Sequence, residues 1–465
     1  MLTASVACCI LASPALAEDS QGDDNGYNPP KYQALRFNED WSTMPQNYGD
    51  WSDRIKKINL DDNGENWLSM GGQVRVRGEL WRGFGFNDNN DDEFALFRFF
   101  GWMDLHLGEN IRIFIQPEST HATNRDLPGG KRAALDVDSA DLLDAFAEFS
   151  FDLSDEYQFS VRGGRQELLF GKQRLISPLD WSNNRRTFDG FSATFKPTDG
   201  NWKLDAFLSQ FVQSDKYGFD KTNDNVTFYG AYFNEKVGED QKYDVDAYLL
   251  GLHTDMTIGD SDRYTVGARM AGPIAEGFSF DAEGAYQFGS SNGLDIGAWM
   301  FAGDLNYIFA DYDAKPKITL GVDLASGDDD PTDTDNGTFN QLFPLGHAYL
   351  GYIDVVGRQN IMDYRASASF WPAPKKLLVK ADVHFFERME SQDALYNAGG
   401  GVVRAGAAGT DESVGTEIDL TAKYLLDRHT VIEGGYSHFF AGDFLDDAPP
   451  SDDIDFVWLQ YQFTF

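Results

Sequence analysis

The chain has 465 residues and a formal net charge of −37, an acidic balance that argues against a nucleic-acid partner. Its two cysteines, Cys8 and Cys9, stand near the start, so neither disulfides nor thiolate chemistry are expected of a mature protein. Beyond residue 17 no run of 18 apolar residues occurs, which excludes helical membrane spans.

Residues 2–17 are uncharged and mostly small or apolar, Ala15-Leu16-Ala17 forms an A-x-A cleavage pattern, and charge resumes at Glu18. Residues 1–17 therefore read as a signal peptide, although the basic residues that usually open one are missing. Residues 18–66 are polar, contain Pro29 and Pro30, and read as an N-terminal extension partly ordered against the body that follows.

From residue 67 to 465 the dominant signal is alternation with a period of two, which is strand geometry. In QVRVRGELW (73–81), Val74, Val76 and Leu80 oppose Gln73, Arg75, Arg77 and Glu79. Arg98 and Asp104 take the polar phase of the next segment, and in NIRIFIQPE (110–118) Arg112 opposes Ile111 and Ile113. Asp144, Glu148 and Arg162 continue that phase. The stretch VRGGRQELLFGKQRL (161–175) then gathers Arg162, Arg165, Lys172 and Arg174, with Arg185 and Arg186 close behind. Periodicity leaves Arg165 ambiguous; the Gly163-Gly164 step suggests a bulge that re-aims it inward.

The pattern recurs in KYDVDAYLLG (242–251), ITLGVDL (318–324), KLLVKADVHFF (376–386) and TEIDLTAKY (416–424). Asp363, Arg365, Lys380 and Asp382 take its polar phase. In the final DFVWLQYQFTF, Val457, Leu459, Tyr461, Phe463 and Phe465 oppose Trp458, Gln460, Gln462 and Thr464. An aromatic alternating strand ending on Phe465 resembles the terminal strand read by the barrel-insertion machinery of the outer membrane.

Connections alternate in length. Residues 199–201 and 426–428 look like tight turns, whereas 213–225, 326–345, 388–411 and 441–453 look like long polar loops. Short turns at one end and long loops at the other fit a transmembrane β-barrel, and an aromatic content of 14% fits its girdles. About 18 strands of about 10 residues, with their connections, consume the chain. The expected fold is all-β: a single antiparallel barrel with short periplasmic turns, long extracellular loops and an aqueous lumen in bacterial outer-membrane lipid.

If the apolar phase faces lipid, Arg75, Arg77, Arg98, Arg112, Arg162, Arg365 and Lys380 point inward, because a lipid-facing Arg costs about 2–4 kcal/mol near the midplane. Acids on the same phase are expected to pair with them and fix them in place. Low-dielectric walls focus the field of such charges, so Arg lining a pore selects anions whatever the acidic loops carry.

The segment GGRQELLFGKQRLISPLDWSNNRRTFDG (163–190) resembles the signature of alginate-export outer-membrane proteins: Gly164 to Leu168, Gly171 to Leu175, Asp180 to Asn183, and Arg186 to Gly190. A second block, residues 326–361, is similar to a later family block through Phe343-Pro344, Gly346-His347, Tyr349, Gly351 and Gln359-Asn360. The resemblance implies an 18-stranded barrel, an electropositive constriction, occluding loops and export of a polyuronate. It also makes Arg165, Arg174, Arg186, Asp180 and Asp189 candidates for the constriction or its scaffold.

The expected function is an anion-selective channel for an acidic polysaccharide or a related sugar acid, served by periplasmic export partners. A general or carbohydrate uptake porin is the alternative, with Trp102 and Trp458 as stacking surfaces. An enzyme is not expected: G-x-S-x-G, H-E-x-x-H and a complete G-x-G-x-x-G are missing. His106 and His384 fall on the lumen phase singly. No cofactor or metal is expected, and Asp333 to Gly337 lacks the register of a calcium loop.

Overall fold

The computed structural model describes residues 29–45, 49–255 and 259–465. The expected signal peptide, with Cys8 and Cys9, lies outside them.

Eighteen strands form the barrel. They are β1 (Asn66–Arg82), β2 (Asp92–Leu107), β3 (Ile111–Ala122), β4 (Asp138–Ser154), β5 (Tyr157–Gln166) and β6 (Phe188–Pro197). There follow β7 (Trp202–Gln213), β8 (Lys221–Val237), β9 (Tyr243–Thr254), β10 (Ser261–Ala275), β11 (Phe278–Ser291) and β12 (Leu294–Ile308). The last are β13 (Lys317–Ala325), β14 (Ile361–Ala373), β15 (Leu377–Glu387), β16 (Ser413–Leu425), β17 (Thr430–Ala441) and β18 (Ile454–Thr464). Each pairs antiparallel with its sequence neighbour. Closure is made by β1 and β18, in register from Gln73↔Thr464 to Arg82↔Asp455. Closing the sheet satisfies every strand's N–H and C=O groups internally, which a hydrocarbon surrounding demands.

Short connections such as 155–156, 276–277 and 374–376 gather at the end that holds both barrel termini. The other end carries 123–137, 167–187, 326–360, 388–412 and 442–453. Two expected loops change extent. The 213–225 loop shrinks to 214–220, because β7 and β8 extend into it, and the 326–345 loop runs on to residue 360.

The two phases segregate as membrane burial requires. Leu208 is 58% exposed and Leu459 63%, while Arg75 is 2% and Arg98 1% exposed. That distribution is the reverse of a soluble protein's and fits a wall with lipid outside and polar contacts inside. No described helix is long and apolar enough to cross a membrane.

The N-terminal extension lies inside the lumen at the turn end. Phe37 packs edge-on against Phe114 of β3 and Phe146 of β4, at ring separations of 5.7 and 5.2 Å. Arg428, in the β16–β17 turn, pairs with Asp53 at 2.5 Å. Trp51 lies 5.2 Å from the Phe465 ring, whose backbone exchanges hydrogen bonds with Gly72. At the loop end, Phe86, Leu175, Ile176, Phe188, Phe228 and Phe339 build a separate apolar core.

Candidate functional site

The connection 167–187 does not stay outside. It leaves β5, folds into the barrel and touches opposite walls before returning to β6. On one side, Arg75 donates to the carbonyl oxygens of Asp180 (2.8 Å) and Ser182 (2.6 Å). Arg98 reaches Asp180 O (3.0 Å), the Asp180 carboxylate (2.8 Å) and Gln73 (2.9 Å). Arg77 pairs with Glu79 at 2.7 Å, donates to Trp181 O at 2.6 Å, and lies 3.9 Å from the Trp181 ring centroid. Burial opposes the charge on Asp180, but Arg98, Arg185 and Arg75 together hold its carboxyl below the usual range.

On the far side, Arg174 of the same connection meets Asp281 (2.9 Å) and Glu283 (3.1 Å) of β11, and Asp304 (3.4 Å) of β12. Strands β1–β2 and β11–β12 stand about half the ring apart, so the connection crosses the lumen. The 326–360 connection joins it. Ser177 N donates to Phe343 O at 2.8 Å, and Phe343 N to Leu175 O at 2.9 Å. Trp181 stacks on His347 at 3.8 Å and meets Trp458 edge-on at 4.9 Å.

Between these loops, the N-terminal extension and the β15–β18 wall lies a cavity of about 160 Å³. Four cations line it (Arg36, Arg75, Lys380 and Lys423), against two carboxylates, Asp180 and Glu433. Trp181 and Tyr352 supply flat faces there. Beneath it, Lys56 Nζ sits 4.8 Å from the Trp102 ring centroid, 5.0 Å from Trp41 and 5.4 Å from Tyr32. Burial pushes its ammonium group down to about 8.

Residues 66–458 match the alginate export family. The chain belongs to that family. Among solved structures, Pseudomonas aeruginosa OccK8 (OprE) is similar with a TM-score of 0.56 and 11% identity, covering 86% of this chain and 98% of that one. Acinetobacter baumannii OccAB2 gives 0.55 and 10%, covering 85% and 98%. P. aeruginosa OpdK with vanillate gives 0.54 and 10%, again covering 85% and 98%. No curated protein matches the chain in sequence. Family and fold are those of outer-membrane channels, which places this member in the bacterial outer membrane.

The remaining sequence-selected residues divide by location. Arg112 pairs with Asp104 at 2.6 Å and donates to Phe37 O, and Arg162 pairs with Glu148 at 2.6 Å and covers the Phe37 ring. Both therefore grip the N-terminal extension. Arg186 is held by Ser177 O (3.1 Å) and Pro344 O (3.5 Å), where the two infolded loops meet. Arg365 pairs with Asp304, and Lys380 with Asp382 at 2.8 Å. Asp363 differs from expectation: its partner is His384 of β15 at 2.9 Å, rather than an Arg or Lys.

Arg165 and Asp189 are corrections. The β5–β6 register runs through Gly163↔Phe191, Gly164↔Gly190 and Arg165↔Asp189 without a shift, so the expected bulge does not form. Phe191 is 66% exposed, which puts Arg165 and Asp189 on the outward phase near the loop end. There they pair with each other at 2.9 Å, and Arg165 also reaches Asp141 at 3.0 Å.

Sequence reading singles out no role for Arg185 and Lys423, and does not select Arg36, Lys56, Arg269 or Arg358. Arg269 was findable, because it alternates with Ala268 and Met270 in a strand pattern. Lys423 likewise sits on the polar phase of 416–424. Arg36, Lys56 and Arg358 lie in irregular segments, where no period announces which way a side chain points.

Proposed function

We propose that this channel passes carboxylate-bearing saccharides, an alginate-like polyuronate or related sugar acids, and selects them by charge. The observation that carries the reading is the cavity lined by Arg36, Arg75, Lys380 and Lys423, where Arg75 is held by carbonyl oxygens rather than by a carboxylate, inside a chain of net charge −37. Low-dielectric walls focus that local field, so the lumen rather than the loops sets selectivity. Trp181 and Tyr352 add faces on which sugar rings stack, and Arg77, clamped over Trp181, fixes the orientation of one of them. Family membership supports a saccharide, and the vanillate named with OpdK is itself a small carboxylate. The same proposal includes cleavage after residue 17, Phe465 as the signal for the insertion machinery, and periplasmic partners at the turn end.

The test is electrical. Purified barrel in planar bilayers under a salt gradient should show an anion-selective reversal potential. The double variant Lys380→Gln, Lys423→Gln should move it toward zero. An unchanged potential overturns the anion reading. A second reading, uptake of neutral carbohydrate, rests on the same aromatic faces. Liposome swelling decides it: rapid entry of neutral sugars, equal in the double variant, favours uptake over charge-selected transport.

A further inference from the structure

Away from the cavity, three carboxylates converge at the loop end of the wall. Glu118 comes from β3, Asp138 opens β4, and Asp220 closes the connection into β8. One oxygen from each lies within 4.8 Å of the others. Glu118 is 5% exposed and Asp138 fully buried. Asp138 accepts from no N–H or hydroxyl donor, the Asp220 carboxyl being its close side-chain neighbour, and Glu118 Oε2 has no hydrogen-bond partner.

The surrounding backbone builds this convergence. Thr120 and Asp138 are register partners, and Asp138 N donates to Thr120 Oγ1 at 2.7 Å, which fixes where the Asp138 side chain begins. The 214–220 connection is folded onto the same strand. Ser139 donates to Lys216 O through its N (3.1 Å) and its Oγ (2.8 Å), and Asp220 N donates to the Asp141 carboxylate. Arg165 lies alongside, but its guanidinium is committed to Asp141 at 3.0 Å and Asp189 at 2.9 Å. It also donates to the backbone oxygen of Asp220 at 3.2 Å. The other guanidinium near the cluster, Arg98 beside Glu118, is likewise committed, to Asp180 at 2.8 Å and Gln73 at 2.9 Å, so among the described residues no cation is left over for the three carboxylates.

Unpaired buried carboxylates are costly, because their charge is taken out of water with nothing to balance it. Oxygen atoms left without donors need a cation or protons. The donor set is all carboxylate, with no imidazole or thiolate, which disfavours zinc. Carboxylates on two strands and a connection, able to bind through one oxygen or two, suit the loose coordination of calcium better than the strict octahedron of magnesium.

We propose that Glu118, Asp138 and Asp220 form a calcium-class divalent-cation site that fastens the 214–220 connection to the barrel wall. It differs from the acidic loops, whose carboxylates are exposed and largely accept hydrogen bonds from their own turns, as Asp330 does from Thr332 and Asp333 from Asp335.

The test uses the folded full-length barrel in detergent, stripped with EDTA and titrated calorimetrically with calcium chloride. Wild type should show a saturable event that Asp138→Asn and Asp220→Asn each weaken by about tenfold or more, since affinity follows ligand charge. Asp333→Asn, in an exposed loop, should leave that event unchanged. Heat-modified gel mobility verifies folding. If Asp138→Asn does not fold, Asp220→Asn decides, because Asp220 lies in a connection rather than in a strand. Hydrogen exchange over 214–220 should slow with calcium in wild type only. No saturable binding in wild type, or equal affinity in the Asp220 variant, overturns the site and leaves shared protons to neutralise the cluster.

Discussion

On β1, Arg75 is held by carbonyl oxygens of Asp180 and Ser182, groups that fix a cation without cancelling its charge. Across the lumen, Arg269 of β10 donates only to carboxylates: Asp281 at 2.7 Å, Asp246 at 2.9 Å and Asp244 at 3.3 Å. Its neighbour Arg174 meets three more acidic contacts. Both walls bury arginine to about the same depth, yet one keeps a positive surface beside the cavity and the other is over-neutralised. Counting arginines therefore does not locate the field. What matters is whether the partner is a dipole or a counter-charge.

The contrast can be broken most strongly on the acidic wall. Arg269→Ala strands Asp246 and Asp281 without their cation and should lower stability by about 3–5 kcal/mol, as loss of one partner of a buried pair does. Urea unfolding in detergent measures it, and a smaller loss than for the Arg75 variant would mean that the acidic wall is not where arginine serves structure.

On the other wall, Arg75→Gln weakens the two charge-assisted hydrogen bonds to the infolded loop but leaves an amide that can keep one of them, a change of about 1.5–3 kcal/mol in all. Its distinct signature should be functional: noisier single-channel current as the 167–187 connection loosens, and weaker anion selectivity. Single-channel recording reads both, and Arg269→Ala in a refolded sample should not reproduce the loss of selectivity.

The smallest effect sharpens the comparison from outside. Arg82 and Asp91 form an exposed pair at 3.5 Å, with side chains 45% and 49% accessible. Arg82→Ala should change stability by less than about 1 kcal/mol and leave the reversal potential where it was. A large shift in that potential would mean that rim charges, rather than the lumen, set selectivity.

The strand phases were legible residue by residue. Val74, Arg75, Val76 and Arg77 alternate in sequence as they do in space, and β18 closes the ring with the alternation read from residues 455–465. Local period failed where geometry is not periodic. Arg165 was expected to turn inward on a glycine bulge that the continuous β5–β6 register does not contain. Nothing local marked 167–187 as a lumen-crossing segment, and its signature residues resembled a family without revealing that Arg174 would meet an acid 107 positions away.

The sequence by itself determined that the chain is a closed barrel with greasy exterior and charged interior, because a pleated strand repeats every two residues and lipid admits only one of the two faces. Tertiary structure alone decided which of those charges remain uncompensated. Arg75, Arg98 and Arg174 take their partners from a loop or strand folded in from elsewhere, and contacts across a lumen leave no trace in the spacing of neighbours along the chain.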